Sequence, residues 1–145
     1  MSVVAWDGQT LAADRRAVYQ NLARTTRKIF RLDANRLVGF AGEIGAGLEM
    51  VQWLKGGARP KTFPAAQRDE KSWVPVVVVV RGGEIKMYER TPYPARVLDS
   101  KYAIGSGRDF ALAAMYLQRS AREAVEITCE FDTSCGNGID VLEFE

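Results

Sequence analysis

The 145-residue chain contains no histidine. Ser-His-Asp and Cys-His nucleophile systems are therefore excluded, together with every zinc site built on imidazole. Any proton transfer has to run through a lysine, a carboxylate or an amine. Two cysteines, Cys129 and Cys135, are too few for a disulfide framework or a four-thiolate site. Nothing at the N-terminus reads as a secretory signal, so a reducing, cytoplasmic setting is expected. Glycine-rich turns at residues 42–47 and at Gly105-Ser106-Gly107 have the composition of phosphate cradles. Neither has the spacing of a dinucleotide or Walker motif, and close approach of layers or positive φ is the commoner use of such glycines. Taken singly, Lys28 reads as a surface lysine and Asp14 as a turn residue.

The elements that must position these groups follow from length and pattern. At 47% hydrophobic and 26% charged the chain is an ordinary globular one, expected to form one domain over residues 1–145. No apolar run approaches the ~18 residues of a membrane span, so a soluble protein is expected. A strand over 3–6 meets Asp7-Gly8 and returns over 9–13. Residues 28–32 and 37–41 form a second hairpin, followed by a helix from about 45 to 55 that stops at Gly56-Gly57. Residues 58–72 carry two prolines without a clear period and read as a surface loop with a helical turn. The run Val76-Val77-Val78-Val79-Val80 suits a strand covered on both faces, and Gly82-Gly83 turns it into a partner. A short strand at 102–104 leads into a helix near 110–117 whose apolar residues, nearly all round, predict burial. Ser120-Ala121-Arg122-Glu123 has the form of a capping box and opens a further helix. A loop over 132–137 and a strand over 139–144 close an α+β chain.

Net charge is only +2, which gives no case for nucleic acid, yet the charges are uneven. Between Arg15 and Arg36 seven basic residues stand against Asp33, and from Ala121 onward seven acids stand against Arg122. Solvated faces or complementary contact between subunits would each account for this.

The order Ala12-Ala13-Asp14-Arg15, Arg27-Lys28, Gly39-Phe40-Ala41-Gly42, Ala103-Ile104-Gly105-Ser106-Gly107, Ser120-Ala121-Arg122-Glu123-Ala124-Val125 and Asp132-Thr133-Ser134-Cys135-Gly136 resembles proteasome β-subunits and their HslV-type relatives. These are N-terminal nucleophile hydrolases. The resemblance covers nearly the whole chain except residues 56–72, where the region of the family's second helix is shortened. It implies a four-layer αββα sandwich of two antiparallel sheets between helices, and self-assembly into a ring or double ring. It also implies a polypeptide substrate, no organic cofactor, and an ATP-dependent unfoldase as an eligible partner. A Na⁺ or Mg²⁺ ion near the loop from Asp132 to Cys135 is admitted by the same analogy.

By motif, Lys28 would be the ammonium that lowers the nucleophile's pKa, Asp14 its carboxylate partner and Gly42 the oxyanion donor. Ser106 and Asp132 would fix the proton network of the terminal amine, with Cys135 where the family usually has serine. The family's nucleophile is an N-terminal threonine, and here the chain reads Met1-Ser2-Val3. Two hairpin registers follow. A two-residue turn at Asp7-Gly8 sets Met1 opposite Asp14 and turns Ser2 away from Lys28; a three-residue loop, Asp7-Gly8-Gln9, sets Ser2 opposite Asp14. Removal of Met1 would then give Ser2 both an amine and a hydroxyl. Three readings stay open: a peptide-cleaving ring subunit, a ring subunit without catalysis, and a hydrolase of small amides.

Overall fold

The computed structural model describes residues 2–145. Its first hairpin is governed by Asp7. The strands β1 (Val4–Trp6) and β2 (Thr10–Asp14) are joined by a turn in which one Asp7 carboxylate oxygen accepts the N–H groups of Gln9 and Thr10 at 2.8 and 2.7 Å. The Asp7 N–H donates to the Thr10 carbonyl at 3.2 Å, and Gly8 supplies φ +101°. With these amides satisfied locally, the loop takes four residues, and pairing runs Val4–Ala13, Ala5–Ala12, Trp6–Leu11. Neither register expected from the sequence is present. Val3 comes opposite Asp14, whose N–H donates to the Val3 carbonyl at 3.3 Å. Met1, which the shorter turn would have set there, lies outside the described residues.

These two strands are central in an antiparallel sheet of order β10 (Tyr102–Ile104), β1, β2, β11 (Ile139–Glu143). A second antiparallel sheet runs β5 (Ile29–Asp33), β6 (Arg36–Phe40), β7 (Val76–Val80), β8 (Ile85–Tyr88), β9 (Ala95–Val97). Strand alternation explains how they stack. Val4, Trp6, Leu11 and Ala13 share a core with Ile29, Leu37, Val77, Val79 and Ile85 of the second sheet. Val3, Ala5 and Ala12 turn the other way, onto α3 (Arg108–Tyr116) and α4 (Ala121–Phe131). Val38, Phe40, Val76 and Val78 pack on α1 (Ile44–Lys55). The valine run is thus covered on both faces, and the architecture is the αββα sandwich.

Two local readings need correction. Helix α3 buries only Ala111, Ala114 and Met115, whereas Phe110, Leu112, Tyr116 and Leu117 are exposed. An outer-layer helix has one face against its sheet, so apolar residues all round do not bury it. Residues 58–72 carry the expected helical turn, as a 3-10 turn at Pro60–Thr62 and the short α2 (Ala65–Arg68), pinned by buried Phe63 and Gln67. An unforeseen hairpin, β3 (Arg16–Tyr19) and β4 (Leu22–Thr25), stands apart from both sheets. Its two turn residues, Gln20 and Asn21, hold φ of 48° and 68°, a conformation that Asn-Gly signals far more clearly.

Part of the charge asymmetry is satisfied within the chain. Arg15 lies 3.4 Å from the Asp140 carboxylate, Arg31 donates to the Glu143 carbonyl at 2.8 Å, and Arg16 donates to the Thr133 carbonyl at 2.8 Å.

Candidate active site

Lys28 precedes β5 and is fully buried, an unusual place for an ammonium unless it is paired. Its Nζ lies 2.9 Å from Oδ1 of Asp14, itself wholly buried at the end of β2. Asp14 is held from every side. Oδ1 also accepts the Val3 N–H at 3.1 Å, while Oδ2 accepts the N–H groups of Arg16 and Gly136 at 3.2 and 3.1 Å. Four donors on one carboxylate fix its orientation. Gly136 holds φ +155°, a backbone conformation that side chains rarely adopt, and sits against the Arg16 guanidinium. The pair is therefore one carboxylate oxygen away from the amide that joins Ser2 to Val3.

Ser2 is 1% exposed. Continuing the alternation of β1 puts it on the face of Val4 and Trp6, the face turned to the sheet that Lys28 enters. Its carbonyl accepts the Gly107 N–H at 3.1 Å and stands 3.5 Å from the Ser106 hydroxyl. Gly105, at φ +101°, lies so close to that carbonyl that a Cβ would overlap it. The strand-to-helix glycines thus serve close approach of the chain's first residues, as their composition alone suggested.

The Ser106 hydroxyl donates to Oδ2 of Asp132 at 2.8 Å, and Oδ1 of Asp132 accepts the Ser134 N–H at 2.8 Å. Burial would raise the Asp132 pKa, but the hydrogen bonds from Ser134, Ser106 and Cys135 outweigh it and hold the carboxyl below its ordinary value. Cys135 behaves oppositely. Burial, then the Asp14 and Asp132 carboxylates, push its thiol up to about 12. A neutral S–H beside a single carboxylate whose oxygens are both engaged is a poor donor set for a hard cation. Among the described residues no group of three or more His, Cys, Asp or Glu gathers to hold a metal.

Gly42 follows β6 at φ +117°, with Val74 packed so closely that a Cβ would lie 3.0 Å from Cγ1 of Val74. The preceding Ala41 N–H donates to the Pro75 carbonyl at 3.2 Å. Glu43 caps α1, its two carboxylate oxygens accepting the N–H groups of Gly45 and Ala46 at 2.8 Å each. The helix end whose composition suits a phosphate cradle is filled by the chain's own carboxylate. Gly42, Gly105 and Ser106 line one cleft.

The proteasome subunit family model matches residues 1–65, the stretch that holds Ser2, Asp14, Lys28 and Gly42. The chain is proteasome-like. It is 26% identical to proteasome subunit beta 2 of Pyrococcus abyssi, over 98% of this chain and 84% of that protein. HslV from Trypanosoma brucei has the same fold, with a TM-score of 0.73 at 20% identity over 98% of each chain. So does BPH of Thiobacillus denitrificans, solved in complex with epoxomicin, at 0.73 and 20% over the whole of both chains.

In this proteasome-like frame the structure brings Ser2, Ser106 and Asp132 into one chain of contacts and Asp14 and Lys28 into another, joined through the Ser2–Val3 segment. Gly42 meets the first group across the cleft. Sequence reasoning missed the cleft wall formed by Lys71, Ser72, Trp73, Val74 and Pro75, and Arg108 opposite. The fully buried Gln67 anchors that wall, but a lone glutamine among charged residues carries no readable signal.

Proposed function

We propose that the chain is a proteasome-like ring subunit that hydrolyses peptide amides, with Ser2 as nucleophile once Met1 is removed. The observation that carries this reading is the buried Lys28–Asp14 pair, bonded through Asp14 to the amide just after Ser2. An isolated lysine in such a place would lose its hydration for no structural gain. The Ser2 hydroxyl attacks the substrate carbonyl carbon and gives its proton to the freed α-amine, while the Lys28 ammonium stabilises the developing alkoxide. The Gly42 N–H receives the oxyanion. Collapse breaks the C–N bond, the amine's proton goes to the leaving amine, and water then cleaves the Ser2 ester with the same amine as base. Ser106 and Asp132 orient that amine.

Assembly with further copies of the chain is part of the same proposal. It is supported by the exposed apolar side chains of α3 and α4, where Phe110 and Phe131 stack at 5.7 Å with Leu112, Tyr116 and Leu117 nearby. An ATP-driven unfoldase would be the partner that feeds such a ring. Intact-mass measurement with and without a β-lactone or epoxyketone probe tests the catalytic reading. The expected result is loss of the initiator and one covalent adduct on Ser2. A full-length, unlabelled mass would leave a non-catalytic assembly subunit; labelling with turnover of small amides but no peptides would point to a small-amide hydrolase.

A further inference from the structure

The cleft beside Gly42 has a volume of about 470 Å³ and three walls: residues 41–43, residues 71–75, and Gly105, Ser106 and Arg108. The charged side chains among its lining residues are Glu43, Lys71 and Arg108. Both oxygens of Glu43 are engaged by the first amides of α1. Lys71 is exposed, and Arg108, 59% exposed, donates to the Gly105 carbonyl at 3.1 Å and lies 3.9 Å from the Asp109 carboxylate. Among the described residues the two cations therefore line the cleft with most of their hydrogen-bonding capacity unused. The wall that carries Lys71 is fixed in place. Gln67, 1% exposed, donates to the carbonyls of Val74 and Glu89 at 2.5 and 2.7 Å and accepts the Val74 N–H at 3.1 Å.

We propose that this cleft selects substrates bearing a carboxylate close to the susceptible amide, with Lys71 and Arg108 as the specificity-determining pair. The proposal rests on the amide-hydrolysis reading for the identity of the site. An exposed ion pair alters affinity a few-fold, so two cations acting on one carboxylate should give about tenfold selectivity. The carboxylate can come from an Asp or Glu side chain or from a free C-terminus.

The test uses four fluorescent peptides of one length: neutral and amidated, amidated with one Glu, neutral with a free C-terminus, and amidated with one Lys. Their affinities for the Ser2→Ala protein are read by anisotropy, and turnover of the same four is measured with the unsubstituted protein. One carboxylate peptide should bind about tenfold tighter than the neutral amide. Which of the two does so identifies the source. That advantage should vanish in Lys71→Glu/Arg108→Glu and return in Lys71→Arg/Arg108→Lys. Equal binding of all four peptides, a preference for the lysine peptide, or a preference that survives charge reversal overturns the proposal. Turnover without selectivity leaves amide hydrolysis standing and removes the cleft assignment; selective binding with no turnover does the reverse.

Discussion

Lys28 shows how little a residue's type says about its use. The same side chain that reads as a surface lysine is fully buried and bonded at 2.9 Å to a carboxylate that holds three backbone amides as well. Lys28→Ala should abolish Ser2 labelling while circular dichroism stays native, because Asp14 keeps its three amide donors. Leaving that carboxylate without its counter-charge should still cost about 3–5 kcal/mol, measurable by urea unfolding; unchanged labelling would mean that the lysine assignment is wrong. The cysteines supply a separate residue-scale expectation. Cys129 is pushed up to about 11 and Cys135 to about 12, in both cases by burial first, from an ordinary 9.0. A raised thiol pKa contributes stability that is fully present below pH 9 and is lost as pH climbs toward 11 and 12, since the unfolded chain ionises first. Iodoacetamide at pH 8 should therefore leave Cys135 unmodified in the folded protein and alkylate it in denaturant, as peptide mass mapping would read.

At the scale of elements, the first hairpin decides the site because its turn sets which residue meets Asp14. Asp7 determines that turn through two amides of its own loop, and its second oxygen accepts the Ala121 N–H at 2.8 Å, so the hairpin is tied to the start of α4. Asp7→Ala should destabilise the protein by about 1–2 kcal/mol and slow Ser2 labelling, although residue 7 is at the far end of the hairpin. Normal labelling in a destabilised variant would separate the turn from the site. The strand-to-helix turn at Gly105-Ser106-Gly107 works the same way from the other side, because the absence of a Cβ at Gly105 lets the backbone seat against the Ser2 carbonyl. Both turns were visible in the sequence as glycine-containing segments. What they touch was not.

For the molecule as a whole, the sandwich leaves one outer helical face apolar. Phe110, Tyr116, Leu117 and Phe131 are 44, 82, 71 and 65% exposed, more than scattered surface hydrophobics require. Phe131→Asp together with Tyr116→Asp should shift the protein toward monomer in sedimentation velocity without changing its circular dichroism. An unchanged sedimentation coefficient would show that assembly does not use this face. The charge asymmetry of the sequence is a weaker guide to assembly, since Arg15, Arg16 and Arg31 already meet the acidic C-terminal segment inside one chain.

The layers were legible because period-two and period-three-to-four patterns report which faces are apolar, and the order of motifs carried the likeness to proteasome subunits. Lys28, Asp14, Gly42, Ser106 and Asp132 were named from that order. Their meeting was settled only by tertiary contacts: a side-chain-capped turn that slid the first pairing, an outer helix layer that exposes half of α3, and a buried glutamine that builds a cleft wall from residues with no pattern. Local periodicity records burial along one element. It holds no information about which distant carboxylate completes a turn or which loop closes a cleft.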